Sequence, residues 1–145
     1  MRVDDRHICF VLQPEFPLYA LIPSIEALRL ANQNSGAALY DWSFAAPGGG
    51  PVRAGNGMVI EPTRSLDADF APGFAIVVGG NDPTRYLERR LLDWLRRRAA
   101  FGGRLGAMDT GAFALAAAGA RGGYRATLHW EALPAFRDLF PDLAI

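Results

Sequence analysis

Apolar residues in this chain come as short unbroken runs and as helical stripes, and the two forms alternate. His7 to Leu12 (HICFVL) is an apolar run with charge before it and Gln13-Pro14 after it, which predicts a buried strand. Leu18, Leu21, Ile22, Ile25 and Leu28 then recur at helical spacing, predicting a helix from Pro17 to Asn34 with one apolar stripe. Pro23 must lie near its first turn or kink it. Asn34-Ser35-Gly36 is a helix-stop signal. Tyr40 to Ala46 alternates aromatic and polar residues and reads as a second strand. The loop Pro47-Gly48-Gly49-Gly50-Pro51 follows, and Met58 to Glu61 reads as a short edge strand. Phe74 to Val78 (FAIVV) is the clearest strand of all and stops at Gly79-Gly80. Thr84 to Ala100 predicts a helix with Leu87, Leu91, Trp94 and Leu95 on one face. Arg104 to Met108 is another strand, and Thr110 to Ala118 a small-residue helix ended by Gly119. Arg125 to His129 reads as a short strand, and Trp130 to Phe140 as a helix that Pro141 terminates. Asp142-Leu143-Ala144-Ile145 looks like the start of a further strand.

Strand-length runs alternating with helical stripes argue for βαβ units, an α/β fold with a parallel sheet. At 145 residues the chain is one domain's worth. No apolar run approaches the ~18–20 residues that span a bilayer, so no membrane partner is expected. The acids in Met1-Arg2-Val3-Asp4-Asp5-Arg6 argue against a signal peptide, and the single cysteine, Cys9, suits a reducing cytoplasm. Two histidines and one cysteine, far apart, make no local metal site, and neither metal nor cofactor is expected. Fifteen basic residues against fifteen acidic ones exclude a general electrostatic pull on nucleic acid. All the cations are arginine, which reads as a coding bias.

Chemistry concentrates at Gly106-Ala107-Met108-Asp109-Thr110-Gly111-Ala112. An apolar strand runs straight into a helix of small residues with a reactive-type side chain at the turn, the arrangement of a nucleophile elbow. Small neighbours let strand and helix backbones approach, and the helix's free N–H groups favour an anion. The plainer reading makes Asp109 an N-cap. His129 follows at the end of the next predicted strand, and in a parallel sheet the carboxyl ends of strands share one edge. Gly79-Gly80-Asn81 reaches the same edge, as backbone donors for a site or as a simple tight turn. Cys9 reads as a core thiol, and Arg96-Arg97-Arg98 as a solvated helix face.

The segments SIEALRLANQNSGAALYDWSF, GPVRAGNGM, VVGG, LLDWLRRRA, LGAMDTGAFALAAAG and GYRATLHWEALPAFRDLFPDL resemble the amidase-like sensor domain at the N-terminus of AraC-type transcriptional regulators. Those domains belong to the PfpI-type, class I glutamine amidotransferase-like superfamily. The resemblance runs from His7 to Ile145 and implies a flavodoxin-like three-layer α/β sandwich with a mostly parallel sheet. It further implies a single ligand-sensing domain over residues 1–145, truncated at its C-terminus, in a cytoplasmic regulator that is usually a homodimer. By the same resemblance the superfamily's nucleophilic cysteine falls at Asp109, its histidine at His129 and its oxyanion-hole glycines at Gly79 and Gly80. The position of its glutamate, ahead of Ile22-Pro23, holds Tyr19. With neither thiol nor acidic partner, the chain is not expected to perform the superfamily's cysteine chemistry.

The expected role is therefore a catalytically inactive sensor of a small-molecule effector, reaching DNA only through a helix-turn-helix domain outside this chain. Asp109, His129, Thr110, Gly79, Gly80, Tyr19 and Trp130 are its expected ligand-binding residues. A carboxylate at the elbow points to a small cation, arginine-like or quaternary ammonium, with Tyr19, Phe113 or Trp130 as aromatic partners. The helix N-terminus is expected to keep Asp109 ionised. The alternative function is a hydrolase with Asp109 as covalent nucleophile and His129 activating water. That alternative needs a base held by a third group, and the one acid closely following His129, Glu131, is not expected to serve as it.

Overall fold

A computed structural model describes residues 6–119 and 125–145. The charged leader of residues 1–5 and Gly123-Tyr124 of the last motif lie outside the described residues.

Strand β1 (His7–Leu12) is the centre of the fold. Its residues Cys9, Phe10, Val11 and Leu12 are each at most 1% exposed, and burying such side chains contributes roughly 1.5–3 kcal/mol apiece. Strand β2 (Asp41–Ala46) and strand β6 (Phe74–Val78) flank β1, both parallel to it. Outside them lie β5 (Arg64–Ser65) and β7 (Arg104–Met108), giving the order β5-β2-β1-β6-β7 with every pair parallel. The run Met58–Glu61 is not an edge of this sheet. Its Val59–Ile60 (β4) pairs antiparallel with Val52–Arg53 (β3) in a separate small hairpin.

Because side chains alternate along β1, the sheet carries a core on each face. Phe10 and Leu12 join Leu21, Ile25 and Leu28 of α1 (Leu18–Ser35) on one side. Cys9 and Val11 join Leu91, Trp94 and Leu95 of α2 (Arg89–Ala100) and Ala114 of α3 (Ala112–Ala117) on the other. The outer side of α3 presents Phe113 to Phe136 of α4 (Leu133–Leu139), their rings edge to face with centroids 5.0 Å apart. This is the expected three-layer sandwich.

Three further expectations need correction. The helix expected from Thr84 begins only at Arg89, because Asp82 Oδ1 takes the Arg85 N–H and the Thr84 hydroxyl at 3.3 Å and holds a turn there. Arg125–His129 is not a strand: Leu128 packs into the Phe113–Phe136 cluster, and Ala126 N–H donates to Ala144 at 3.0 Å. The tail from Asp142 makes that contact without becoming a strand.

Candidate functional site

The order of the strands reverses between β1 and β6, and in open α/β sheets ligands bind beyond the carboxyl ends of the strands at such a reversal. Here the chain makes an unusually tight construction. Residues Asp109–Gly111 form a single 3-10 turn between β7 and α3, and Asp109 sits at φ +52°, a left-handed conformation rare for side-chain-bearing residues other than Asn, Asp and His. Gly79 and Gly111 make this possible. A side chain on Gly79 would fall on the Gly111 nitrogen and the Thr110 hydroxyl, and one on Gly111 would fall on the Val77 carbonyl. Two further bonds clamp the turn: Gly79 N–H donates to Met108 O at 3.2 Å, and the buried Thr110 hydroxyl donates to Gly80 O at 2.6 Å.

The elbow lifts Asp109 into a cavity of about 300 Å³, lined by Tyr19, Ala20, Ala107, Asp109, Thr127, Leu128 and His129. Of the expected site residues it gathers Asp109, His129 and Tyr19. Gly79, Gly80 and Thr110 lie behind the elbow instead, where the Gly79 N–H and the Thr110 hydroxyl are committed to holding it. Trp130 is 71% exposed and stacks on His129 with centroids 6.0 Å apart, outside the lining. Phe113 is fully buried in the core, so of the three aromatics only Tyr19 lines the cavity.

The electrostatics also differ from expectation. Burial pushes the Asp109 carboxyl above its ordinary range, and this outweighs the opposing pull of His129 and of the Thr110 backbone N–H. The helix that follows is too short, and opens with too irregular a turn, to reverse it.

Glu131 is the residue that sequence reasoning set aside. Its Oε2 stands 3.8 Å from His129 Nδ1. On a strand Glu131, two residues on, would share the face of His129; residues 125–129 are not a strand, and the 3-10 turn Trp130–Ala132 brings Glu131 back toward the imidazole. The edge thus holds two carboxylates and an imidazole: Asp109 and His129 share the cavity lining, and the more exposed Glu131 stands beside His129. Among the described residues no group of His, Cys, Asp and Glu is arranged to hold a metal ion. No helix among the described residues is long and apolar enough to cross a membrane.

The model of the DJ-1/PfpI family matches residues 6–138, nearly the whole chain. The chain belongs to the DJ-1/PfpI family. It is 40% identical over 136 residues to the HTH-type transcriptional regulator CdhR of Pseudomonas aeruginosa, covering 94% of this chain and 40% of that one. To the HTH-type transcriptional regulator GbdR of the same organism it is 40% identical over 142 residues, covering 98% of this chain and 39% of that one. The chain therefore spans about 40% of the length of these curated relatives. Among solved structures, an AraC family transcriptional regulator from Pseudomonas putida superposes with a TM-score of 0.82 at 24% identity, over 96% of this chain and 75% of that one. Within this family the elbow of this chain carries Asp109, and the first turn of α1 carries Tyr19.

Proposed function

We propose that this chain is the effector-sensing part of an AraC-type transcription regulator, and that its elbow cavity binds a small organic cation without catalysing a reaction. The observation that carries the reading is the position of Asp109: a carboxylate raised by a left-handed turn into a cavity whose other walls are largely apolar. The two regulators at 40% identity support the regulatory role. A cation 4 Å from that carboxylate gains on the order of 4 kcal/mol before desolvation and solvent screening. Tyr19 at the rim adds roughly 0.5–2 kcal/mol through its ring face. His129, held from behind by Glu131, sets the charge balance of the cavity. In this reading DNA is contacted by a separate helix-turn-helix domain, the regulator works as a cytoplasmic homodimer, and the effector shifts the relation between the two parts.

The test is calorimetric titration with arginine, a tetraalkylammonium ion, a neutral amide and a carboxylate, on the wild type and on Asp109→Asn. Cations bind the wild type best, and the variant loses that preference. Equal binding of neutral or anionic compounds, or an unchanged variant, removes the cation reading. The hydrolase alternative needs Asp109 as nucleophile and His129 as base. Turnover of esters, amides or haloalkanes that disappears in Asp109→Asn would replace the sensor reading with it.

A further inference from the structure

The opposite edge of the sheet holds a second cluster of reactive side-chain types. His7 on β1 stands across from Asp41 on β2 in the parallel register, and Cys9 stands across from Ser43. The two-residue period of a strand puts all four side chains on one face. His7 Nδ1 lies 2.9 Å from Asp41 Oδ2, and His7 Nε2 lies 2.8 Å from Ser43 Oγ. With the proton on Nδ1, the imidazole donates to Asp41 and accepts from the Ser43 hydroxyl. This order of hydroxyl, imidazole and carboxylate is the one in which a base draws the proton from a nucleophile while an acid orients the base.

The surroundings supply further parts. Arg64 on β5 is in register with Ala45, two positions along β2 from Ser43 and therefore on the same face. Its guanidinium stands 5.8 Å from the centre of the Phe70 ring, and that ring meets His7 edge-on at 6.5 Å. Exposure rises along the cluster, from Ser43 at 5% through the His7 side chain at 17% to Asp41 at 76%.

We propose that Ser43, His7 and Asp41 form a second nucleophilic site, distinct from the elbow cavity, on which activated carboxylic esters acylate Ser43. Ser43 Oγ bonds to the ester carbonyl carbon as its proton passes to His7 Nε2. The carbon–oxygen bond to the leaving phenol or alcohol then breaks, and that oxygen takes the proton from His7. Water repeats the sequence in reverse to free the acid. Arg64 offers positive charge to the oxyanion, and Asp41 acts as a positioning residue for the imidazole. Cys9, which shares a side-chain hydrogen bond with Ser43, is not the nucleophile: burial pushes its thiol up to about 11, leaving it protonated at neutral pH.

The experiment incubates the chain with p-nitrophenyl acetate and follows intact mass, peptide mapping and the rate of acetylation. The chain has no lysine, so the background of acylated amines is confined to the N-terminus. One acetyl group maps to Ser43 and is absent in Ser43→Ala. His7→Asn, which removes the base, slows acetylation by about 100-fold or more, and Asp41→Asn slows it by a smaller factor because that carboxylate is screened by solvent. Thermal melts of each variant accompany the rates. Should His7→Asn melt well below the wild type, Asp41→Asn, at the exposed end, carries the comparison. An unmodified Ser43 in the folded wild type overturns the proposal, as does label confined to Cys9 or the N-terminus. So does an acetylation rate that neither His7→Asn nor Asp41→Asn changes.

Discussion

Burial and backbone conformation make separate demands on Asp109. Its φ of +52° is one that Asn tolerates as well as Asp, so Asp109→Asn removes the charge without new backbone strain. Burial raises the carboxyl's pKa in the folded chain above the value of roughly 3.9 it has when unfolded. Between those two values the folded state binds more protons than the unfolded one. The group's contribution is therefore fully present below the unfolded value and is lost as pH rises through the folded one. Urea unfolding at pH 3 and pH 7 should show Asp109→Asn gaining relative to wild type at the higher pH only. A bound cation favours the ionised form, so affinity for it should fall as pH drops through the same range. Gly79 makes a complementary prediction. A methyl group there meets the Gly111 nitrogen and the Thr110 hydroxyl, so Gly79→Ala should cost about 1–3 kcal/mol in denaturant unfolding and displace Asp109 from the cavity.

At the scale of elements, α1 carries an irregularity that serves the cavity. Pro23 is inside the helix, not at its first position, and has no N–H to give to the carbonyl four residues back, that of Tyr19. That carbonyl is freed on the residue that lines the cavity. Pro23→Ala restores the missing donor and should raise stability by about 1–3 kcal/mol in urea melts, while weakening cation binding at the rim. The strands show why some elements were legible and others were not. His7–Leu12 and Phe74–Val78 match their expected bounds because a doubly covered parallel strand is a bare apolar run with sharp ends, whereas Arg104–Met108 does so because Gly102-Gly103 and the elbow punctuate it. The start of α2 does not match, because the Leu87 that extends its apolar stripe lies ahead of the helix and packs against the core from the irregular segment after a turn. Residues 125–129 misled for a related reason. Their alternation is real, but Leu128 serves the α3–α4 cluster and not a sheet face, and Glu131 reaches His129 through a 3-10 turn that no strand pattern announces.

At the scale of the whole molecule, the elbow and its histidine were legible because the strand-to-helix junction has a sequence signature, whereas the roles of Gly79, Gly80 and Thr110 were not. A glycine that donates to a ligand and a glycine that lets two backbones touch look alike in sequence, and only the Gly79–Met108 and Thr110–Gly80 bonds separate them. The same view exposes an asymmetry in the sheet. Strand β1 is buried along most of its length, yet β7, with a comparable apolar run, has no buried residue. Its inner edge pairs with β6, and among the described residues no strand pairs with its outer edge. Unpaired N–H and C=O groups on an apolar edge strand are a template for another strand. The α1 side adds exposed Tyr19, Ile22 and Leu30, further apolar surface. The 145-residue chain is therefore expected to self-associate. Sedimentation velocity over a concentration series should show the mean mass rising, and a proline at Leu105, which cannot donate to a ladder, should shift the distribution toward monomer. A single monomeric boundary at every concentration would show that this edge is protected, and the expectation would fail.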